Sequence, residues 1–184
     1  MSAPTQNAQH TVTGERADLL ETLAMHRFFL RNTTRDLTDE QAGERSTVSS
    51  LCLGGLIKHV AKGETQWINF VLEGPSAMSS GGKDWADWDE ADYAKYHEEF
   101  QMLPGETLAG ILADYERVAA RTDEVIRTLP DLDSAHPLPR APWFQPGARW
   151  SARRVVLHLI AEISQHAGHA DIIREGLDGA KSMG

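Results

Sequence analysis

Residues 150–176 read WSARRVVLHLIAEISQHAGHADIIREG, and their periodicity decides the fold. At roughly 100° per residue, Glu162 lies about 40° round from His158, His166 about 80° and His169 about 20°, so all four project from one face of a helix. Val155, Leu159 and Ile173 share that stripe, which predicts a long amphipathic helix turning this face toward other helices. The face is therefore expected to be buried. A buried carboxylate with imidazoles four and seven positions on is costly unless something positive neutralises it. A divalent metal would do so directly, and a histidine or arginine across the bundle would do so as a pair. Both readings stand on these residues alone. Ser151 occupies the N-cap position, and Arg153 and Arg154 fall in the first turn, where cations oppose the helix dipole. That conflict points to an anionic ligand, an acidic neighbour or plain solvation for these arginines.

Outward from this helix, residues 105–129 repeat apolar positions at helical spacing through Leu108, Ile111, Tyr115, Val118 and Thr122, and Pro130 stops them. Residues 50–74, SLCLGGLIKHVAKGETQWINFVLEG, form another long pattern opened by Ser49 and Ser50 and closed by Gly74 and Pro75. Leu56, His59, Gly63, Trp67 and Val71 share its seam, which aims His59 at the core. Glycines 54, 55 and 63 cost an isolated helix up to about 1 kcal/mol each, so a close neighbouring helix or a ligand is expected against them. A first helix is expected over 15–36, with Leu19, Leu20, Leu23, Phe28 and Leu30 inward and His26 solvated or at the boundary beside Arg27 and Arg31. Leu37–Gln41 reads as a capped turn between helices, with Thr38 as N-cap and Gln41 completing the box.

Two connections are irregular. Residues 75–104 are acidic and carry Trp85, Trp88, Tyr93, Tyr96 and Phe100, which either cover a pocket mouth or pack on the outside as a short helix. Residues 130–149 hold five prolines, too many for a helix or central strand, and read as a long loop. Long loops in compact domains are often functional, so Trp143, Phe144, Arg140 and Arg149 are candidate substrate contacts.

Composition bounds the rest. The chain has 184 residues and no internal break, which suits one domain over 14–179 behind a polar tail at 1–13. A net charge of −9 and a pI near 5.3 offer phosphates no basic footprint, so nucleic acid is not an expected partner. No apolar run approaches the roughly 20 residues of a membrane span, and the N-terminus lacks signal-peptide order, so a cytoplasmic protein is expected. The single cysteine, Cys52, is expected to be a reduced, buried thiol.

Four long helices, a histidine within LGGLIKHVAKGETQW and the words HLIAEISQHAGHADIIREGLDG from His158 together carry a resemblance. The sequence resembles the DinB-like four-helix-bundle superfamily, and within it the branch similar to mycothiol-dependent maleylpyruvate isomerase and related thiol S-transferases. The resemblance implies an all-α bundle of up-down-down-up type with long connecting loops. It also implies a divalent metal held by His59, Glu162 and His166, with glutamate at 162 as in that isomerase and unlike the histidine of many relatives. His169 matches a position that is not a ligand in many relatives, and is expected to orient a thiol or move a proton. His158 is expected either behind the ligands or in the core.

Two imidazoles and a carboxylate leave open coordination positions, which is the catalytic arrangement, and Zn²⁺ leads over Ni²⁺, Fe²⁺ and Mn²⁺ for such donors. The resulting expectation is a metal-dependent thiol S-transferase that activates mycothiol against an electrophilic small molecule. Arg149, Arg153 and Trp143 are the expected substrate contacts, and a homodimer is possible. Two alternatives are a metal-dependent hydrolase or isomerase without external thiol, and a non-catalytic, stress-related metal-binding bundle. A fold alone does not choose among the three.

Overall fold

The computed structural model describes residues 12–78 and 83–182, and the expected tail at 1–13 falls, for 1–11, outside them. Among the described residues, six helices and one small ribbon follow in the order α1 Glu15–Asn32, α2 Asp39–Gly43, α3 Leu53–Glu73, α4 Glu90–Glu98, α5 Leu108–Thr128, β1 Ala135–Pro137, β2 Arg149–Ser151 and α6 Ala152–Asp178. Short 3₁₀ turns at Pro75–Met78 and Trp85–Asp87 punctuate the stretch between α3 and α4.

The four long helices are α1, α3, α5 and α6. Polar ties at their ends fix their directions. Arg16 near the start of α1 donates to the carbonyls of Ile126 and Leu129 at the end of α5. Arg153 at the start of α6 meets Glu15 at the start of α1, and Arg174 near its end donates to the Thr33 carbonyl at 2.8 Å. Lys58 early in α3 pairs with Glu106 just ahead of α5, at 2.8 Å. Thus α1 and α6 run one way and α3 and α5 the other, the up-down-down-up arrangement. Helix α6 packs on α1 and α3, and α5 on α3, so α1 and α3 face each other across the core.

The core follows the helical stripes: Leu19, Leu23 and Leu30 from α1, Leu56, Ile57 and Val60 from α3, Tyr115 and Ile126 from α5, and Val155, Leu159 and Ile163 from α6 are all buried. Burying such side chains contributes about 1.5–3 kcal/mol each against leaving them in water, before chain entropy opposes it. Ser151 caps α6 by accepting the Arg154 amide, and Gly179 ends that helix with φ 79°, a left-handed conformation that glycine adopts without strain.

Several expectations are corrected. Residues 39–43 make a helix of their own rather than a mere connection, because the Thr38–Gln41 capping box closes a full turn. Helix α3 starts at Leu53, with Cys52 as N-cap, since Ser49 Oγ is occupied with the Leu51 amide in a turn before it. Phe28 is 62% exposed, and its inward place is taken by Arg27, which is 5% exposed. The proline-rich connection contains a strand after all: Ala135–Pro137 pairs antiparallel with Arg149–Ser151, Pro137 standing at the strand's end.

Candidate metal centre

His59 of α3 and Glu162 and His166 of α6 come together where the two helices face each other. One donor atom from each lies within 4.8 Å of the others. His166 Nε2 is 3.2 Å from Glu162 Oε1, and His59 Nε2 is 3.8 Å from the same oxygen. The i, i+4 spacing on α6 puts the carboxylate and one imidazole a turn apart on one side, and the antiparallel run of α3 supplies the third donor. The approach of the His166 and His59 imidazoles holds the Glu162 carboxyl well below the usual carboxylate range, against the opposing effect of its partial burial.

The residues fit a metal. His59 Nδ1 is buried without a hydrogen-bond partner, and the donor set of two imidazoles and one carboxylate is that of open, catalytic sites. The His59 ring is held on its other side by Phe100, stacked at 4.0 Å between centroids and 24° between planes. Phe100 follows α4, and its backbone rests on Gly55 while Met102 Sδ rests on Gly54. Those two glycines are therefore explained by close approach, as their cost demanded, whereas Gly63 has nothing within 4 Å of where a Cβ would sit. An ion pair between Lys62 and Glu99 fastens the end of α4 to α3.

A cavity of about 240 Å³ opens beside the three donors, with His59 and Glu162 in its wall. Trp85, Tyr96 and Glu99 line one side, so the acidic aromatic stretch covers a pocket rather than packing idly outside. Trp143 and Phe144 from the proline-rich loop line another, and Trp67, Trp150 and His158 complete the wall. Trp67 and Trp150 stack at 4.8 Å and 15°, with His158 edge-on to both at 4.8 and 5.1 Å. Burial pushes the His158 imidazole down from its ordinary value, and burial pushes the Tyr96 phenol up, with Glu99 and Glu162 adding to it. A larger groove of about 980 Å³ lies between α1, α2 and α5 and contains none of the candidate metal donors or substrate contacts.

The face of α6 expected to be buried is only half so: His158, Glu162 and His166 are intermediate and His169 is exposed, because the face opens onto the cavity and then onto solvent. His169 Nδ1 lies 3.4 Å from His166 Nδ1, so it reaches the back of a donor ring rather than the cavity wall. Arg149 donates to the Ala135 carbonyl across the ribbon, and Arg153 pairs with Glu15 and Asp133; neither lines the cavity. Arg154 lies over the Trp150 ring at 4.8 Å. Of the three expected substrate contacts, Trp143 alone is in the cavity wall. Trp67 and Trp150 were not singled out from sequence; the run His59, Gly63, Trp67 at successive fourth positions was the signal that could have found the first.

An up-down-down-up bundle with such a donor cluster at the meeting of its second and fourth long helices is a DinB-like helical bundle. The model of the mycothiol-S-transferase family matches residues 18–179, and the chain belongs to that family. No curated protein matches the chain. Among solved structures it is similar to a conserved protein from Enterococcus faecalis, with a TM-score of 0.66 and 13% identity over 92% of this chain and 100% of that one. At that identity the likeness concerns the fold alone.

Proposed function

We propose that the protein is a metal-dependent thiol S-transferase, which joins mycothiol to an electrophilic small molecule at the His59–Glu162–His166 cluster. The observation that carries this reading is the convergence of those donors beside an aromatic-lined cavity, with His59 and Glu162 in its wall. A bound divalent cation, Zn²⁺ first for this donor set and Ni²⁺, Fe²⁺ or Mn²⁺ otherwise, would lower the pKa of a thiol beside it.

The chain's own residues do the rest. Glu162 stays ionised at neutral pH, so the cluster offers one carboxylate oxygen beside two imidazole nitrogens. His169 holds the His166 ring at Nδ1 and leaves its Nε2 turned to Glu162. Trp67, Trp85, Trp150 and Phe144 exclude water from the sulfur's path, which keeps a thiolate reactive. In the reaction the S–H proton passes to solvent and a sulfur lone pair forms the S–C bond. The electrophile's leaving group departs with the bonding electrons, or its carbanion is reprotonated.

The test is elemental analysis of untagged protein beside His59→Ala, with thiol conjugation assayed for wild type and His166→Ala. About one divalent ion per chain, lost together with conjugation in the variants, is the expected result. Conjugation undiminished in His166→Ala would sink the proposal.

A further inference from the structure

Building on the transferase reading, we infer that the electrophile bound in this cavity is a flat, uncharged aromatic molecule rather than a carboxylate-bearing one. The chain has five tryptophans, at 67, 85, 88, 143 and 150, and all of them belong to the wall or the layer stacked on it. Trp85 stacks on Trp88 at 3.9 Å and meets Trp143 edge-on at 5.3 Å, and Phe144 meets Trp150 edge-on at 5.6 Å. Aromatic rings favour offset or edge contacts at such separations, so a planar guest finds partners on several sides.

Charge argues the same way. Among the described residues no Lys or Arg lines the cavity; its ionisable members there are His59, Tyr96, Glu99, His158 and Glu162. The nearby cations are already engaged: Lys62 with the wall's Glu99, Arg140 with Asp84 and Asp87, and Arg154 over the Trp150 ring. An entering carboxylate would lose its water and meet no Lys or Arg side chain from the wall in exchange. A neutral ring meets none of these penalties. Trp143 is 58% exposed and stands at the mouth, where a guest would cover it.

The inference is tested with metal-loaded, full-length protein by tryptophan fluorescence, using 1,3-dinitrobenzene as an unreactive aromatic probe and fumarate as an anionic one, both without thiol. Saturable quenching by dinitrobenzene and none by fumarate is expected. Trp143→Ala and Phe144→Ala should each weaken dinitrobenzene at least five-fold, and Trp143→Arg should make fumarate bind. Fumarate binding as tightly as dinitrobenzene to wild type, or dinitrobenzene affinity unchanged in both alanine variants, would overturn the inference. A second assay separates it from the reading it rests on. Saturable quenching without any thiol conjugation leaves the aromatic subsite standing and removes the transferase. Faster thiol conjugation of maleate than of 1-chloro-2,4-dinitrobenzene keeps the transferase and overturns the subsite.

Discussion

The backbone carbonyl of Phe100 rests on Gly55 so closely that no side chain fits between them, and the ring of the same Phe100 stacks on His59. One glycine therefore sets the height at which a donor imidazole is held. Gly55→Ala should lower stability by about 1–3 kcal/mol through overpacking, and should weaken metal binding along with it. Gly63→Ala, two turns on in the same helix and with nothing near its absent side chain, should raise stability by about 0.4–1 kcal/mol. Urea unfolding of the two variants beside wild type reads both signs.

Arg27 of α1 and Glu64 of α3 form a buried pair between facing helices, with Asp123 of α5 accepting from the same guanidinium at 2.7 Å. The two neighbouring carboxylates outweigh burial and raise the Arg27 pKa above its ordinary value. Arg27→Met alone should cost about 3–5 kcal/mol, because Glu64 is left charged or protonated without a partner in the core. Adding Glu64→Leu should recover part of that loss, which a double-mutant cycle on unfolding free energies would reveal. Additive losses would show that the pair is not coupled.

Metal removal should be visible without any assay of chemistry. An ion that binds the folded chain and not the unfolded one stabilises it by about 2.7 kcal/mol at a hundred times its Kd. Chelation should therefore lower the melting temperature of wild type, with recovery on adding Zn²⁺. His59→Ala should be insensitive to both treatments.

Acidification should weaken the metal-free protein through His158. Its folded pKa lies below the ordinary value of 6.5, so the unfolded chain binds the proton more readily and stability rises with pH. His158 costs nothing well above pH 6.5, and the penalty grows as pH falls below it toward the folded value. His158→Phe should therefore show a shallower loss of stability below pH 6.5 than wild type, measured by urea midpoints across that range. Parallel curves would rule out this account of the imidazole.

The bundle was legible because four long stretches repeat apolar residues at helical spacing, and the donors because their positions match a family pattern. What escaped the sequence were features made by pairs distant along the chain. The burial of Arg27 left no local sign, since its partners Glu64 and Asp123 lie 37 and 96 positions away. Arg153 was drawn toward the substrate by an unfavourable first-turn position, whereas the acidic neighbours it meets are Glu15, from the opposite end of the chain, and Asp133. The ribbon was hidden because each strand has three residues and one of the six is proline. The place of Trp143 in the cavity wall was within reach because a long proline-rich loop is itself a local signal.

That ribbon has a bearing on how such proteins diverge. Residues 138–148, with Trp143 and Phe144, hang from a clasp whose second strand runs straight into the cap of α6. Insertions or replacements in the loop end at the clasp, while the register of the helix carrying Glu162 and His166 is set independently by its apolar stripe. On the transferase reading, recognition and reactivity would thereby be written on separable pieces of one chain, and a lineage could trade one target molecule for another without touching His59, Glu162 or His166.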